Sequence, residues 1–480
     1  MAPKVRPVGR QEASRPIDLV IAIDRDAPAT LGAQIESHFR RAVRDGQLRA
    51  GTRIPSTRDL ARQLSVSRRV TVDAYAQLAA EGYLVLRQGA HPQVADGAIA
   101  TDRERRDGPE LAPEVLPRFD FRPSRPDVSA FPRQAWSRSL RTAVASIADA
   151  ELIYGNPCGV DPLRTTLSEY LGRVRGVVGA PGNVVVTSGY LQGLGLACRA
   201  LAAGGARRIA LEDPSAPEQG PIARRAGLEP VPVPVDASGL RVDALDAAGV
   251  DAVVVTPAHQ HPTGVVLAPE RRTALVDWLR RTDAFAIEDD YDAEYRYDRA
   301  AVKAFQGLDP GRVVYAGSTS KTLAPALRMG WLVVPGRLLD AVAEEKFLAD
   351  QGSARIEQHA LADFIARGEL DRHLRRMRLR YRARRDLLID ALADQLPDAQ
   401  VQGIAAGLHV TVRLRGTFDE LALREAARAR RVELSTLSDY TPGAFSRDPV
   451  LLVGYAQVSE AAMAAGVREL AAVVASSRTG

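Results

Sequence analysis

Residues 317–330 read GSTSKTLAPALRMG, with Lys321 at the centre. Lysine is scarce in this chain: of 64 Lys and Arg residues, only Lys4, Lys303, Lys321 and Lys346 carry an amine. A primary amine condenses with an aldehyde to a Schiff base, and a guanidinium in practice does not. A chain that writes its cations as arginine but keeps lysine between hydroxyls therefore reads as holding a nucleophilic amine here. SxSK by itself usually marks only a helix start, so other residues must complete the chemistry.

Three further features are needed if the aldehyde belongs to pyridoxal phosphate: phosphate donors, a carboxylate for the pyridine nitrogen and a hydroxyl for the ring oxygen. Ser318, Ser320 and Arg328 surround the lysine and can supply the first. The EDDYD run at 288–292, closing an apolar stretch, offers an aspartate and Tyr291 for the other two. TSGYLQG at 187–193 puts Gly189 at a strand-to-helix turn. The amides of Gly189, Tyr190 and Leu191 and the helix dipole favour a phosphate there.

Elements of one kind must carry these motifs. From about residue 120, short β-branched runs (NVVVTSG, RRIALED, DAVVVTP, AFAIEDD, RVVYAGS) alternate with helical stretches such as LQGLGLACRALAAG. That rhythm predicts a mostly parallel sheet covered by helices, with ligands at the carboxyl ends of the strands. Several of the motifs above sit at those ends.

The first 95 residues differ. Residues 31–95 hold ten arginines and no lysine against five acidic residues, a net +5 that equals the whole chain's formal charge. Such a local field suits a polyanion, although a merely solvated arginine-rich face has the same composition. Leu31, Ile35, Phe39 and Val43 line one helix face, and the helix closes at Gly46. Ser56 can cap a second helix, and the break SVS leads into a third, RRVTVDAYAQLAAEGY. This is a helix-turn-helix plan, and YLVLRQGAHPQVA follows as a hairpin turning at Gly89. Residues 96–119, rich in charge, Pro and Gly, read as a linker between 1–95 and 120–480, with a small C-terminal subdomain from about 345.

The totals exclude other classes. Hydrophobic residues are 46% and charged residues 26%, ordinary globular values, and no run of eighteen apolar residues exists. The start lacks an apolar core of the secretory kind, and Cys158 and Cys198 make no disulfide framework or metal set, which points to the cytoplasm.

Two resemblances follow. GTRIPSTRDLARQLSVSRRVTVDAYAQLAAEGYLVLRQG resembles the GntR-type winged helix. That likeness implies DNA contacts from Arg58, Arg68 and Arg69 and a wing tip at Gln88 and Gly89, with Val70 where threonine is commoner. YGNPCGVDPLRTTLSEYL, TPAHQHPTG, IEDDYDAEYRY and STSKTLAPALRMGW resemble the fold-type I aminotransferases. The two together, over about residues 25–475, resemble the MocR subfamily of transcription regulators. The fold so implied is multidomain: an α+β winged helix-turn-helix and an α/β fold-type I aminotransferase-like domain. By the same resemblance, Lys321 carries pyridoxal phosphate as a Schiff base and Asp289 faces the pyridine nitrogen. Tyr291 meets the ring oxygen beside His261, which stands where aminotransferases usually have asparagine. Arg328, Ser318 and Ser320 hold the phosphate, and Tyr154 reaches it from the partner of a homodimer.

Departures from the enzymes matter as well. Ala216 stands where a ring-stacking tyrosine is usual, Glu218 where amino-acid binders tend to have arginine, and Leu452 where the substrate carboxylate clamp would be. Neither Glu218 nor Leu452 can pair bidentately with a carboxylate. His261, His409 and Tyr440 are candidate pocket residues. The reading is a regulator that binds an operator in double-stranded DNA and senses pyridoxal phosphate itself, or an amine or amino acid, with weak or absent transamination. The alternatives are a working aminotransferase with an accessory DNA-binding domain, and a regulator whose second domain no longer binds cofactor.

Overall fold

A computed structural model describes residues 21–96, 116–297, 302–441 and 449–478. The chain divides into two compact units, Met1–Glu114 and Val115–Gly480. Most of the linker expected over 96–119 lies outside the described residues.

In the first unit, Ile35, Phe39 and Val43 are fully buried and bring the helix Leu31–Arg44 against Arg68–Ala80 through Ala74, Tyr75 and Leu78. Phe39 meets the Tyr75 ring edge-on at 5.4 Å, and each such buried side chain contributes about 1.5–3 kcal/mol. Ser56 caps Thr57–Gln63 by accepting from the Asp59 amide, and Ser67 caps the third helix at the Val70 amide. The Thr71 hydroxyl donates to Thr57 O at 2.8 Å and ties these two helices together. Leu84–Val85 pairs antiparallel with Gln93–Val94, and Gly89 takes φ +76° in the turn between them.

The second unit is built on an eight-stranded sheet. Its spatial order is Val184–Thr187, Gly330–Val333, Val313–Ser318, Phe285–Asp289, Ala252–Val255, Arg208–Asp213, Glu229–Asp236 and Gly239–Leu240. Gly330–Val333 and Gly239–Leu240 run against their neighbours, and the other pairings are parallel. Val184–Thr187 and Ala252–Val255 are buried along their whole length, as strands covered on both faces are. Cys158 and Cys198 sit in this core as small hydrophobes. A second, antiparallel sheet of Gln400–Gln402, His409–Arg413, Val450–Gly454 and Ser435–Thr436 follows the long helix Glu369–Gln395. Phe119–Asp120 joins Val432–Glu433 in parallel, so the start of this unit is stitched into its C-terminal part.

No helix among the described residues is long and apolar enough to cross a membrane.

Candidate functional site

At one end of the large sheet, Thr187, Gly330 and Ser318 lie side by side across three strands. A Cβ on Gly330 would come within 2.9 Å of Gly189 Cα and of Gly317 O, so only glycine lets these strands close up. Gly189 (φ +102°) then turns the chain into the helix Tyr190–Ala203. The first amides of that helix, including those of Tyr190 and Leu191, point out of the sheet without intrahelical partners.

Arg328 faces this turn. Its guanidinium donates to Ser188 O at 2.7 Å, and a Cβ on Gly189 would lie 3.4 Å from its Nη2. Arg328 is exposed and holds a left-handed backbone (φ +50°), a strained conformation for a residue with a side chain. Ser318 Oγ accepts the Ser320 amide at 3.3 Å. A helix N-terminus and an arginine thus meet at the strand end that carries Ser318 and Ser320, and together these groups include the donor types a phosphate requires.

Lys321 follows in the turn after Val313–Ser318. Burial lowers its amine below the ordinary lysine range, while Asp289 and Asp292 pull it back up. A depressed amine is the form that attacks a carbonyl. Asp289 ends the neighbouring strand, with Ala316 beside it in register. Burial and then the Asp290 charge push its carboxyl up to about 8, against the pull of the Tyr190 hydroxyl and Lys321. A carboxylate so poised gains from a pyridine nitrogen that shares its proton.

Tyr291 turns its hydroxyl to His259, with Oη 3.0 Å from Nδ1. Burial, then Asp292, keeps the phenol protonated far above neutrality. His261 lies edge-on to Tyr291, His409 and Tyr440 at ring separations of 5.3, 5.8 and 5.1 Å. Burial holds His261 well below its usual value and His409 down to about 4. The Nδ1 atoms of both are buried without a hydrogen-bond partner. His409 is fixed by Nε2–H donation to Pro262 O at 2.9 Å. The structure thus brings Lys321, Asp289, Tyr291 and His261 together, and Ser318, Ser320, Arg328 and Gly189 beside them. Phosphate donors, carboxylate, phenol, amine and the orphaned imidazole nitrogen fit pyridoxal phosphate in the donor types they present.

Tyr154 stands apart from this group, 86% exposed beside exposed Leu152 and Ile153. Leu452 is fully buried in the C-terminal sheet opposite Thr411 and Ser435, an apolar residue in a packed strand. Ala216 opens on a cavity of about 550 Å³ lined also by Glu212, Pro217, Asp439 and Tyr440.

Sequence reasoning missed several residues here. Asp292 and His259 form a buried pair behind Tyr291. Gln192 accepts the Ser188 amide at 2.7 Å and is itself held by Lys346, which is fully buried and also bonds Asp350 and Ser353. The scarcity of lysine was the available signal for Lys346. Among the described residues, no cluster of His, Cys, Asp and Glu could hold a metal ion.

In the first unit, Arg58, Arg68 and Arg69 are all exposed, as are Gln88 and Gly89 on the hairpin. Arg68 opens the third helix, and Arg69 lies 3.7 Å from Asp73 in a solvated pair. Val70 is half-buried and turns toward the core rather than outward.

The pattern of aminotransferase class I and II matches residues 128–465, and that of the bacterial regulatory proteins of the gntR family matches 31–91. The chain is 34% identical to the HTH-type pyridoxine biosynthesis transcriptional regulator PdxR of Corynebacterium glutamicum, over 89% of this chain and 92% of that one. It is 32% identical to the probable rhizopine catabolism regulatory protein MocR of Rhizobium meliloti, over 94% and 95%. Among solved structures, an archaeal alanine:glyoxylate aminotransferase superposes with a TM-score of 0.67 at 25% identity, covering 74% of this chain and 90% of that one. With a GntR-type winged helix before a fold-type I aminotransferase-like domain, and full-length likeness to such proteins, the chain belongs to the MocR-type regulators of the GntR family.

Proposed function

We propose that this chain is a transcription regulator whose aminotransferase-like domain binds pyridoxal phosphate covalently at Lys321 and thereby controls binding of the winged helix to a double-stranded DNA operator. The observation that supports it most is the convergence of Lys321, Asp289 and the phosphate cup of Gly189, Ser318, Ser320 and Arg328 in one cleft, in a chain that also carries exposed arginines on a helix-turn-helix. Bound there, the cofactor supplies an electron-withdrawing ring for carbonyl–amine chemistry. The chain's own residues do the rest. Asp289 holds the ring nitrogen's proton, Tyr291 and His261 face the ring oxygen, and the cup neutralises the phosphate.

The effector is pyridoxal phosphate itself or an amine or amino acid that meets it in the cleft, with the cavity beside Ala216 as room for a side chain. The protein works as a homodimer in the cytoplasm, and Tyr154 completes the partner's phosphate site. A working aminotransferase with an accessory DNA-binding domain is the weaker reading, because buried Leu452 and exposed Glu218 put no cation at the two expected arginine positions. Borohydride reduction of the cofactor-treated protein, followed by peptide mapping, tests the assignment. Pyridoxyl label on Lys321 is expected, and label elsewhere or none refutes it.

A further inference from the structure

Behind the residues that would touch the cofactor lies a buried pair that packing alone does not require. His259 is 4% exposed and Asp292 2%. His259 Nδ1 lies 3.0 and 3.2 Å from the two Asp292 carboxylate oxygens, and 3.0 Å from Tyr291 Oη. The imidazole and phenol rings stack at 28°. Two glycines with left-handed backbones enclose the imidazole. A Cβ on Gly407 would overlap Cε1 and lie 2.8 Å from Asp292 Oδ2, and one on Gly264 would lie 3.2 Å from Nε2. The ring has no room to swing away.

One nitrogen facing these two partners dictates where hydrogens go. A carboxylate only accepts, so Nδ1 beside Asp292 carries the imidazole hydrogen. Nδ1–H cannot also accept from Tyr291, so the phenolic hydrogen is shared only between the Asp292 carboxylate, with which the hydroxyl also bonds, and an acceptor in the cleft. We propose that Asp292 and His259 are positioning residues which, by holding the Nδ1–H tautomer, keep Tyr291 a hydrogen-bond donor toward the ring oxygen of the bound cofactor. This rests on the reading that the cleft takes pyridoxal phosphate. An amide at 292 donates as readily as it accepts and no longer fixes the tautomer. Nδ1 can then capture the phenolic hydrogen, and the ring oxygen loses its donor.

A donor to the ring oxygen favours the deprotonated form of the nitrogen joining Lys321 to the cofactor, so its loss raises the pH midpoint of the visible absorption change. Asp292→Asn also removes a negative charge near Lys321, which lowers that midpoint whatever stands at 259. The other charged or titratable groups facing Tyr291, His259 and Lys321 are Asp289, Glu212, Glu218, Arg125, His261 and His409, and all stay constant. The signal is therefore a difference between two backgrounds.

The experiment titrates the absorption of the cofactor-loaded full-length chain as wild type, Tyr291→Phe, Asp292→Asn, His259→Phe and the double variant. Tyr291→Phe is expected to raise the midpoint. Asp292→Asn in the presence of His259 should leave the midpoint about 1 pH unit higher, relative to its effect in the His259→Phe background, which is the worth of one hydrogen bond to a charged oxygen. Equal shifts in both backgrounds, or no rise with Tyr291→Phe, overturn the proposal and leave cofactor binding intact. Failure of the wild type to take up cofactor overturns the functional reading and this proposal together. Should Asp292→Asn not fold, ¹⁵N spectra of the wild-type histidines, with His259 identified by its absence in His259→Phe, read the tautomer directly. Nδ1–H is expected, and Nε2–H overturns the proposal.

Discussion

Asp289 and Asp290 are consecutive residues that face opposite sides of the sheet. Asp290 is buried against Arg175, 2.7 Å from Nε and 3.1 Å from Nη2, and accepts from Tyr315 Oη at 2.8 Å. Glu288 shares that side, where its carboxylate accepts the Phe305 and Gln306 amides. Asp289 alone turns to the cleft, toward Tyr190 and Lys321. Strand alternation thus separates one ligand-facing acid from two structural ones.

The two aspartates should respond differently to substitution. Asp290→Ala strands a buried guanidinium and is expected to cost about 3–5 kcal/mol of stability, read by denaturant unfolding. Asp289→Asn should fold normally and lose affinity for pyridoxal phosphate, read by absorption titration.

Stability without cofactor should fall as pH rises from about 7 to 8.5. Asp289 is raised to about 8 and Glu212 to about 7, both by burial first, so these carboxyls keep protons in the folded chain that the unfolded chain has lost. Buried His261 and His409, held below their ordinary value, act in the opposite sense only below about pH 6.5. A folded carboxyl pKa above its unfolded value means stability lost on deprotonation. Thermal melts should show a decline on the order of a few °C. Asp289→Asn should flatten the upper part of the curve, and an unchanged slope would count against the burial argument.

On DNA, Arg68→Ala should weaken specific operator binding by about 1–3 kcal/mol if the side chain reads a base edge. Arg69, already paired with Asp73 in solvent, should contribute mainly a phosphate term, so that Arg69→Ala lowers the salt dependence with little change in sequence preference. Cofactor absorption should be unchanged in both. Binding titrations at several salt concentrations separate the two contributions.

Lys346→Met should reach the cofactor from a distance. It removes the cation that links Asp350, Gln192 and Ser353, and Gln192 in turn holds the Ser188 amide at the phosphate cup. Loss of about 1–3 kcal/mol in cofactor binding is expected. Phosphate-free pyridoxal should be affected much less, and equal losses for the two would argue against an effect through the cup.

The exposed run Leu152, Ile153 and Tyr154 gives a test of assembly. Ile153→Glu should yield monomers by sedimentation and weaken cofactor binding in step. Tyr154→Phe should weaken cofactor binding while leaving the dimer intact.

Much of the cleft was legible because its chemistry is local. Ser318, Ser320, Lys321 and Arg328 lie within eleven consecutive residues, Asp289 ends a readable strand and Gly189 closely follows another. What the sequence concealed lies in long-range pairings: Tyr291 with His259 across 32 residues, Asp290 with Arg175 across 115, Lys346 with Gln192 across 154. Nothing in a linear pattern tells which of many arginines will neutralise a given buried acid. The helix-turn-helix was plain because its helices and their caps are contiguous. The stitching of Phe119–Asp120 to Val432–Glu433 was invisible for the opposite reason.

That stitch has a mechanical meaning. Asp120 pairs with Arg122 and with Arg125, and Arg125 lies close enough to Lys321 to oppose its charge. If the proposed cofactor binds at Lys321, the change of charge there alters the electrostatic interaction with Arg125. The stretch that feels it is also the stretch through which the domain is joined to everything N-terminal to it, and its far side is sewn to the last sheet of the chain. The short stretch from Phe119 to Arg125 thus touches the cleft through its charge and the C-terminal part of the domain through its backbone.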